Sequence, residues 1–229
     1  MIKHNKLLNV IIPLRSKSKS IKNKNFLKVG KYPLAIKCIN TVLKSKIATN
    51  IIVATDSKEY VLKIKKYFTN EKRIEYFLRS KKSSLPNSKT EVVIGEVLKK
   101  LNFQNVKNIL LVQATSPALN HIDLKKSFNK FLKFNYDSLF SCYESKVFFW
   151  KKTKKGLIPL NYNHKNRPMR QKFVKNLVEN GAFYYFKKKG FEKHKNRLFQ
   201  NIGFYTMPED RSFEIDEPND IKKIKNIQK

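Results

Sequence analysis

A cluster of cations and hydroxyls follows the first apolar segment of the chain. Residues 9–14 read Asn-Val-Ile-Ile-Pro-Leu, and the loop after them carries Arg15, Ser18, Lys19 and Lys24. A buried parallel strand ends in such a loop where it opens onto an anion site. The cations could converge on a triphosphate, while backbone N–H groups and Ser18 supply neutral donors. A solvated lysine-rich turn is the alternative, and the loop lacks the glycines of a Walker pattern.

A second group that could do chemistry is the acidic pair Glu214 and Asp216, which flanks Ile215 near the far end of the chain. If this segment is a strand, both carboxylates point to one face while Ile215 packs into the core. Such a pair suits Mg²⁺, which is usually held by one or two carboxylates together with substrate phosphates and water. A solvent-exposed strand end that leads into the next helix is the alternative.

The elements that must position these residues alternate between short apolar runs and longer stretches of helical period. This alternation is typical of βαβ units around a mostly parallel sheet, so we expect an α/β fold. The predicted strands are Asn9–Leu14, Asn50–Thr55, Arg73–Leu78, Asn108–Gln113, Ser138–Tyr143, Ala182–Phe186, Ile202–Thr206 and Phe213–Asp216. The predicted helices begin at Leu34, after Asp56-Ser57, near Lys89, near Asp123 and at Pro218.

The alternation lapses between residues 146 and 175, which include the aromatic stretch Val147 to Trp150 and a Lys-Lys-Gly turn. Such a break indicates an excursion from the sheet, often an oligomer contact, or else an ordinary long loop. We find no internal repeat and no second linker-separated domain. We therefore expect residues 1–229 to form one domain.

A chain of 229 residues that is 41% hydrophobic can form one sizeable core. Its formal charge is +33. The charge would normally indicate a nucleic-acid partner. However, the excess is almost all Lys, and Lys, Asn, Ile and Phe are abundant together, as AT-rich codons impose. Base readers and phosphate clamps favour Arg for its rigid fork, so the pattern disfavours nucleic-acid binding as the main function.

Cysteine usage and the start of the chain bear on the compartment. Cys38 and Cys142 lie far apart in apolar segments without Cys-x-x-Cys spacing, which indicates a reduced, structural pair. No apolar run reaches the roughly eighteen residues of a membrane span, and the Met-Ile-Lys-His-Asn start lacks signal-peptide features. We expect a cytoplasmic protein.

The basic loop resembles a family signature. Residues 12–25, IPLRSKSKSIKNKN, are similar to the IPARGGSKGIxxKN segment of the acylneuraminate cytidylyltransferases. Further matches follow in order along nearly the whole chain. They are Val53-Ala54-Thr55-Asp56-Ser57 with VSTD, Arg79 with the arginine after the third strand, Leu111 to Pro117 with LLQPTSP, Arg170-Gln171 with RQ, Glu179-Asn180-Gly181-Ala182 with ENGA, and Glu214-Ile215-Asp216 with Asp220 as the DID-x-x-x-D end.

The resemblance implies a three-layer Rossmann-like nucleotide-diphospho-sugar transferase fold. It also implies a reaction in which the anomeric hydroxyl of a nonulosonic acid attacks the α-phosphate of CTP, giving the CMP-sugar and pyrophosphate. Such nucleotidyl transfer depends mostly on in-line positioning and on neutralising phosphate charge. Mg²⁺ as cofactor and a homodimer, contacted through the excursion, are implied as well.

Residue roles carry over from the resemblance by matching position. The implied catalytic residues are Arg15, Lys24 and Asp216; the nucleotide-binding residues are Leu14, Arg15, Ser18, Lys19, Lys24, Asn25 and Arg79; the sugar-binding residues are Gln113, Thr115, Ser116, Arg170 and Gln171; and the metal ligands are Asp216 and Glu214. The Arg170 guanidinium could take the carboxylate of an acid sugar bidentately, or could face a partner subunit.

Some residues outside these roles have simpler interpretations. The four histidines, His4, His121, His164 and His194, fall outside the matched motifs and are expected on the surface. Asp56 is expected to cap a helix, and Glu179 to be a loop acid.

The chain also departs from the family pattern. Ser16, Lys17 and Ser20 replace glycines, which would strain the loop by roughly 1 kcal/mol each if those positions need a positive φ. Ala114 replaces a proline, Leu119 an arginine and Glu214 an aspartate. We therefore keep open three alternatives: an enzyme of this fold with another sugar or nucleotide, a drifted family member without catalysis, and a basic protein that binds anions or nucleic acid.

Overall fold

The computed structural model describes residues 7–18, 20–101 and 106–224. The strands in these ranges are β1 Leu8–Leu14, β2 Lys28–Val29, β3 Tyr32–Pro33, β4 Asn50–Thr55, β5 Ile74–Leu78, β6 Asn108–Val112, β7 Ser138–Ser145, β8 Trp150–Thr153, β9 Gly156–Pro159, β10 Asn176–Lys187 and β11 Ile202–Thr206. The helices are α1 Leu34–Ser45, α2 Lys58–Lys65, α3 Lys81–Ser84, α4 Thr90–Lys100, α5 His121–Lys133, α6 Lys188–His194 and α7 Ile221–Ile224.

The main sheet has seven strands in the order β11-β7-β10-β6-β1-β4-β5. β1 runs parallel to β4 and β6, and β4 runs parallel to β5. β11 is parallel to β7, whereas β10 is antiparallel to both β6 and β7. The prediction of a mostly parallel sheet is confirmed.

Helices cover both faces of this sheet because its central strands are apolar on both sides. Along β1, Val10 and Ile12 join one buried cluster with residues of α1, α2 and α5. Ile11 points the other way and joins a second cluster with α4 and α6. The three-layer α/β prediction is thus confirmed.

The register of the parallel strands places three charged residues side by side. Leu14, the last residue of β1, lies opposite Thr55 of β4, which lies opposite Leu78 of β5. The residues that follow, Arg15, Asp56 and Arg79, therefore leave the sheet at one edge. In open α/β sheets this carboxyl edge is where ligands bind.

Two predictions about the last third of the chain are wrong. Residues 213–216 form no strand, since Ile215 N–H donates to Thr115 O (2.8 Å) in a loop rather than to a neighbouring strand. The side chains still alternate, with Ile215 fully buried. β10 begins at Asn176 rather than Ala182, so Glu179 lies in a strand and not in a loop.

Between β7 and β10 the chain leaves the main sheet. β8 and β9 pair as an antiparallel hairpin, with Trp150 opposite Pro159. Next to it, the Phe148 ring packs against Phe173 (centroids 4.5 Å apart) and lies under the Arg167 guanidinium at 4.4 Å. We call residues 146–175 the excursion.

Two further expectations concern the cysteines and the membrane. Cys38 and Cys142 are both free and buried, and burial raises the pKa of the Cys38 thiol to about 12. The prediction of a reduced, structural pair is confirmed. Within the described ranges, no helix is both long and apolar enough to cross a membrane.

Candidate active site

The basic loop is fixed at both ends by its neighbours at the sheet edge. Ser16 N–H donates to Asp56 Oδ1 (2.7 Å), and the buried Asn25 side chain donates to Arg15 O (2.8 Å). Asp56 is therefore not a helix cap, and that prediction is wrong. Ser57 caps α2 instead, accepting from Tyr60 N–H (3.2 Å). The Asp56 carboxylate instead accepts the N–H of Ser16, just after the end of the adjacent strand β1.

The loop needs no glycine at the positions where the chain departs from the family. Ser16, Lys17 and Ser20 are not in the left-handed region, so the expected strain does not arise. Among the loop residues described, Asn23 takes that conformation (φ 54°), and asparagine tolerates it. Leu14 is fully buried, whereas Lys19 lies outside the described residues.

The two ends of the predicted site meet in one ion pair. Lys24 Nζ lies 2.7 Å from Asp216 Oδ1, although the two residues are 192 positions apart in sequence. The Lys24 side chain is only 15% exposed, whereas the Asp216 side chain is 59% exposed. The basic loop and the acidic segment therefore form one site.

Glu214 lies in a confined position beside this pair. Burial, and next the Asp216 carboxylate, raise the pKa of Glu214 to about 7, and Lys24 only partly opposes them. Gly181, at φ 65°, lies against the same carboxylate, and a Cβ there would overlap Glu214 Oε1. The ENGA match pointed to Gly181 without giving its role, which is to leave room for Glu214.

The acidic segment is held against the loop that follows β6. Arg211 donates to both carboxylate oxygens of the buried Asp123 (2.6 and 3.0 Å) and to Ala118 O (3.1 Å). Asn180 donates to Ser212 Oγ at 3.0 Å. No motif match pointed to Arg211, although its position three residues before Glu214 offered a signal.

The loop after β6 carries three of the predicted sugar-binding residues. Gln113 N–H donates to Ala182 O (3.0 Å), and Thr115 O accepts from the acidic segment. Ser116 is buried, and its Oγ has no partner among the described residues. The structure thus brings Gln113, Thr115 and Ser116 next to the segment of Glu214 and Asp216.

The other two predicted sugar-binding residues lie elsewhere. Arg170 and Gln171 are exposed in a turn of the excursion, where their carbonyls accept from Lys146 Nζ at 3.1 and 3.5 Å. Within the described part of the chain, no hydrogen bond or ion pair joins their side chains to the Lys24–Asp216 pair. Their role in binding stays a prediction.

The two arginines at the sheet edge contact a short serine-rich segment. Arg79 donates to Ser83 O, and Arg15 Nη1 donates to Leu85 O (3.0 Å). Burial lowers the pKa of Arg79; Asp56 raises it, and the nearby Arg15 lowers it further. Two guanidinium groups close enough to affect each other's charge suit a polyanionic ligand.

The described histidines, His121, His164 and His194, are exposed, as predicted. His4 lies outside the described residues. The chemistry available at the carboxyl edge is therefore that of cations, carboxylates and hydroxyls. Such a set can neutralise phosphates and hold a divalent cation.

Comparisons of the sequence with known proteins agree with this geometry. The chain is 30% identical over 213 residues to N-acylneuraminate cytidylyltransferase A of Danio rerio, covering 91% of this chain and 48% of that protein. It is 24% identical over 226 residues to pseudaminic acid cytidylyltransferase of Campylobacter jejuni, covering 96% and 95%. The chain spans about half the length of the Danio rerio relative.

Comparisons with solved structures give the same fold. CMP:2-keto-3-deoxy-manno-octonic acid synthetase complexed with CTP matches with a TM-score of 0.69 at 13% identity, over 96% of this chain and 98% of that one. 4-Diphosphocytidyl-2C-methyl-D-erythritol synthase of Anaerococcus prevotii matches with a TM-score of 0.68 at 15% identity, over 97% and 96%.

A family model for cytidylyltransferases matches residues 9–229, which include the basic loop, the loop after β6 and the acidic segment. This match spans nearly the whole chain, and the chain therefore belongs to the cytidylyltransferase family.

Proposed function

We propose that the chain transfers the cytidylyl group of CTP to the anomeric hydroxyl of a nonulosonic acid and releases pyrophosphate. The observation that carries this proposal is the contact between Lys24 and Asp216, which joins a cationic loop to an acidic segment at the carboxyl edge of a parallel sheet. The names of two relatives, N-acylneuraminate and pseudaminic acid cytidylyltransferase, support an acid sugar as the acceptor.

In the proposed reaction the sugar hydroxyl oxygen bonds to the α-phosphorus of CTP. The bond from that phosphorus to the bridging oxygen breaks, pyrophosphate leaves with the bond electrons, and the hydroxyl proton is lost. Arg15, Lys19 and Lys24 would neutralise the phosphates, and Ser18 would donate a hydrogen bond to them. Asn25 shapes the loop through its bond to Arg15 O. Leu14 and Arg79 would border the nucleotide.

Mg²⁺ is the metal we propose, and the residues present fit it. Asp216 and Glu214 are close enough for the first to raise the pKa of the second, and a divalent cation would relieve that repulsion. Within the described ranges no group of three or more His, Cys, Asp or Glu is arranged to hold a metal. The remaining ligands would come from phosphates and water, as Mg²⁺ prefers. When bound, the ion would supply charge neutralisation at the phosphates.

For the acid sugar, we propose a position beside Gln113, Thr115 and Ser116. These residues lie on the loop that accepts Ile215 N–H, next to Glu214 and Asp216. Arg170 and Gln171 are proposed to reach the sugar carboxylate from the excursion, and a second copy of the chain could supply them.

Exposed apolar side chains on the excursion, such as Leu157 (66% exposed) and Val174 (81%), support a homodimer in which the excursion forms the contact. Buried free cysteines and the use of CTP favour the cytoplasm as compartment.

The test of the proposed function is pyrophosphate release by the purified protein with CTP, Mg²⁺ and a panel of nonulosonic acids. We expect release with at least one acid of the sialic, legionaminic or pseudaminic type, and formation of the matching CMP-sugar. Lack of pyrophosphate with every sugar, together with a mobility shift of DNA at physiological salt, would instead support a basic nucleic-acid-binding protein.

A further inference from the structure

A carboxylate outside the matched motifs connects to both arginines of the site through one short helix. Glu96, on α4, accepts hydrogen bonds from Ser80 N–H (3.3 Å), from Ser80 Oγ and from Ser83 Oγ (2.6 Å). Burial alone would raise the pKa of Glu96, but these hydrogen bonds lower it overall. The carboxylate therefore bonds Ser80, which precedes α3, and Ser83 within it.

Two carbonyl groups at the end of α3 accept the arginine contacts. Arg79 donates to Ser83 O, and Arg15 Nη1 donates to Leu85 O (3.0 Å). Cations at the carbonyl end of a helix are favourable. Ser83 thus joins Glu96, which its Oγ contacts, to Arg79, which its carbonyl contacts.

α3 has only four residues, Lys81–Ser84, and one helical turn is not stable by itself in water. Its internal hydrogen bonds are those of a single turn: Ser84 N–H and Ser84 Oγ donate to Ser80 O (3.1 and 2.7 Å), and Ser80 Oγ accepts from Ser83 N–H (3.2 Å), among others. Without Glu96, two serine hydroxyls would lose a charged partner, and the carbonyls that orient the arginines would lose their fixed position.

The Arg79 guanidinium uses only part of its hydrogen-bonding capacity. Its side chain is largely desolvated, and its Nε is buried without a partner among the described residues. Such a guanidinium is held in place by few contacts, and the carbonyl of Ser83 is one of them. Its orientation therefore depends on where α3 lies.

We propose that Glu96 is a positioning residue for CTP, which acts by fixing α3 so that Arg79 and Arg15 face the nucleotide. This inference rests on the proposed function, since it assigns Arg79 and Arg15 to that ligand. Glu96 itself does not touch substrate.

The experiment measures CTP binding at equilibrium and the kinetics of pyrophosphate release for wild type, Glu96→Ala and Glu96→Gln. We expect Glu96→Ala to weaken CTP binding and raise KM for CTP about tenfold, with KM for the sugar unchanged. Glu96→Gln, which keeps the size and one acceptor oxygen, should recover part of that loss. Glu59→Ala, which removes a carboxylate paired with Lys63 (2.6 Å) on α2, is the matched control and should bind CTP as wild type does.

A double-mutant comparison separates positioning from a general loss of structure. If Glu96 acts through Arg79, then Glu96→Ala should weaken CTP binding much less in an Arg79→Ala background than in wild type. Equal losses in both backgrounds, or a KM for CTP unchanged by Glu96→Ala, would overturn the inference. Circular dichroism checks folding, and Glu96→Gln carries the test if the alanine variant does not fold.

The outcomes also distinguish this inference from the proposed function. Wild type that binds CTP but turns over no sugar contradicts the proposed function, and the binding data still decide the role of Glu96. Turnover by wild type with unaltered CTP binding in Glu96→Ala contradicts only the inference. No CTP binding by wild type contradicts both.

Discussion

The ion pair between Lys24 and Asp216 defines the site at the level of single residues, since each side chain makes its closest polar contact with the other. Lys24→Ala would remove one charge-assisted contact to the proposed triphosphate, which is typically worth about 1.5–3 kcal/mol. We therefore expect KM for CTP to rise by roughly ten- to hundredfold, measured by pyrophosphate release. Lys22→Ala removes the same charge from an exposed position in the same loop and should have little effect. Equal losses in the two variants would show that only the net charge matters.

The raised pKa of Glu214 makes the stability of the fold depend on pH. Its pKa in the folded chain, about 7, lies above the ordinary value of 4.5. Between these values the folded chain holds a proton that the unfolded chain has lost, so its stability falls as pH rises through this window. The full difference corresponds to about 3 kcal/mol, and we expect about 1–2 kcal/mol because water still reaches part of the side chain.

Glu214→Gln removes this penalty. In metal-free buffer the variant should melt a few degrees above wild type at pH 8.5 and at nearly the same temperature at pH 4.5, measured by thermal unfolding. A difference that is the same at both pH values would contradict the burial of an ionisable carboxylate at this position.

At the scale of elements, the segment from residue 209 to 216 depends on the Arg211–Asp123 pair. Asp123 is 3% exposed, and removal of its partner would leave a buried charge uncompensated. We expect Arg211→Ala to lower the free energy of unfolding by about 3–5 kcal/mol, measured by urea denaturation.

Arg73→Ala provides the control for this prediction. Arg73 also makes two side-chain hydrogen bonds, to Glu71 at 2.9 and 2.8 Å, but its side chain is 40% exposed. Its loss should cost about 1 kcal/mol or less. Similar costs for the two variants would mean that the buried pair does not hold the acidic segment.

The elements differ in how well the sequence predicted them. β1, β4 and α1 were predicted to within one residue, because a strand buried on both faces reads as a continuous apolar run and α1 has a clear helical period. The segment 213–216 shows the same alternation as a strand, yet it pairs with a loop. Alternation reports which side chains are buried, and it does not report the hydrogen-bonding partner.

The partners of Asp56 and Glu96 could not be predicted in the same way. Asp56 binds Ser16 because β1 and β4 are adjacent and in register, and Glu96 binds Ser80 and Ser83 because α4 packs beside α3. Both contacts depend on tertiary neighbours that local propensity does not contain. By contrast, the matched motifs did identify Lys24, Glu214 and Asp216, which the structure brings together.

At the scale of the whole molecule, the proposed homodimer predicts that one apolar residue of the excursion decides the oligomeric state. Leu157→Asp should convert dimers to monomers in light scattering, because it places a charge in the proposed contact. Leu62→Asp alters a residue of similar exposure (62%) on α2 and should leave the dimer intact. Wild type that is monomeric at micromolar concentration would contradict the dimer.

The net charge of +33 is also a property of the whole molecule, and it would attract any polyanion. Charge alone does not distinguish a triphosphate from any other polyanion. The distinction comes from the acidic segment, because a triphosphate brings its own Mg²⁺ and a carboxylate pair would hold that ion. We therefore propose that Asp216, beside Lys24, takes part in cytidylyl transfer.

The most direct test of this claim is the kcat for pyrophosphate release by Asp216→Asn, with CTP, Mg²⁺ and the sugar acid that wild type uses. We expect a loss on the order of a hundredfold or more, because the substitution removes a carboxylate from the charged centre of the site. Asp210→Asn, an exposed carboxylate in the same region, should behave as wild type. Turnover by Asp216→Asn within a factor of about two of wild type would contradict a role for Asp216 in cytidylyl transfer.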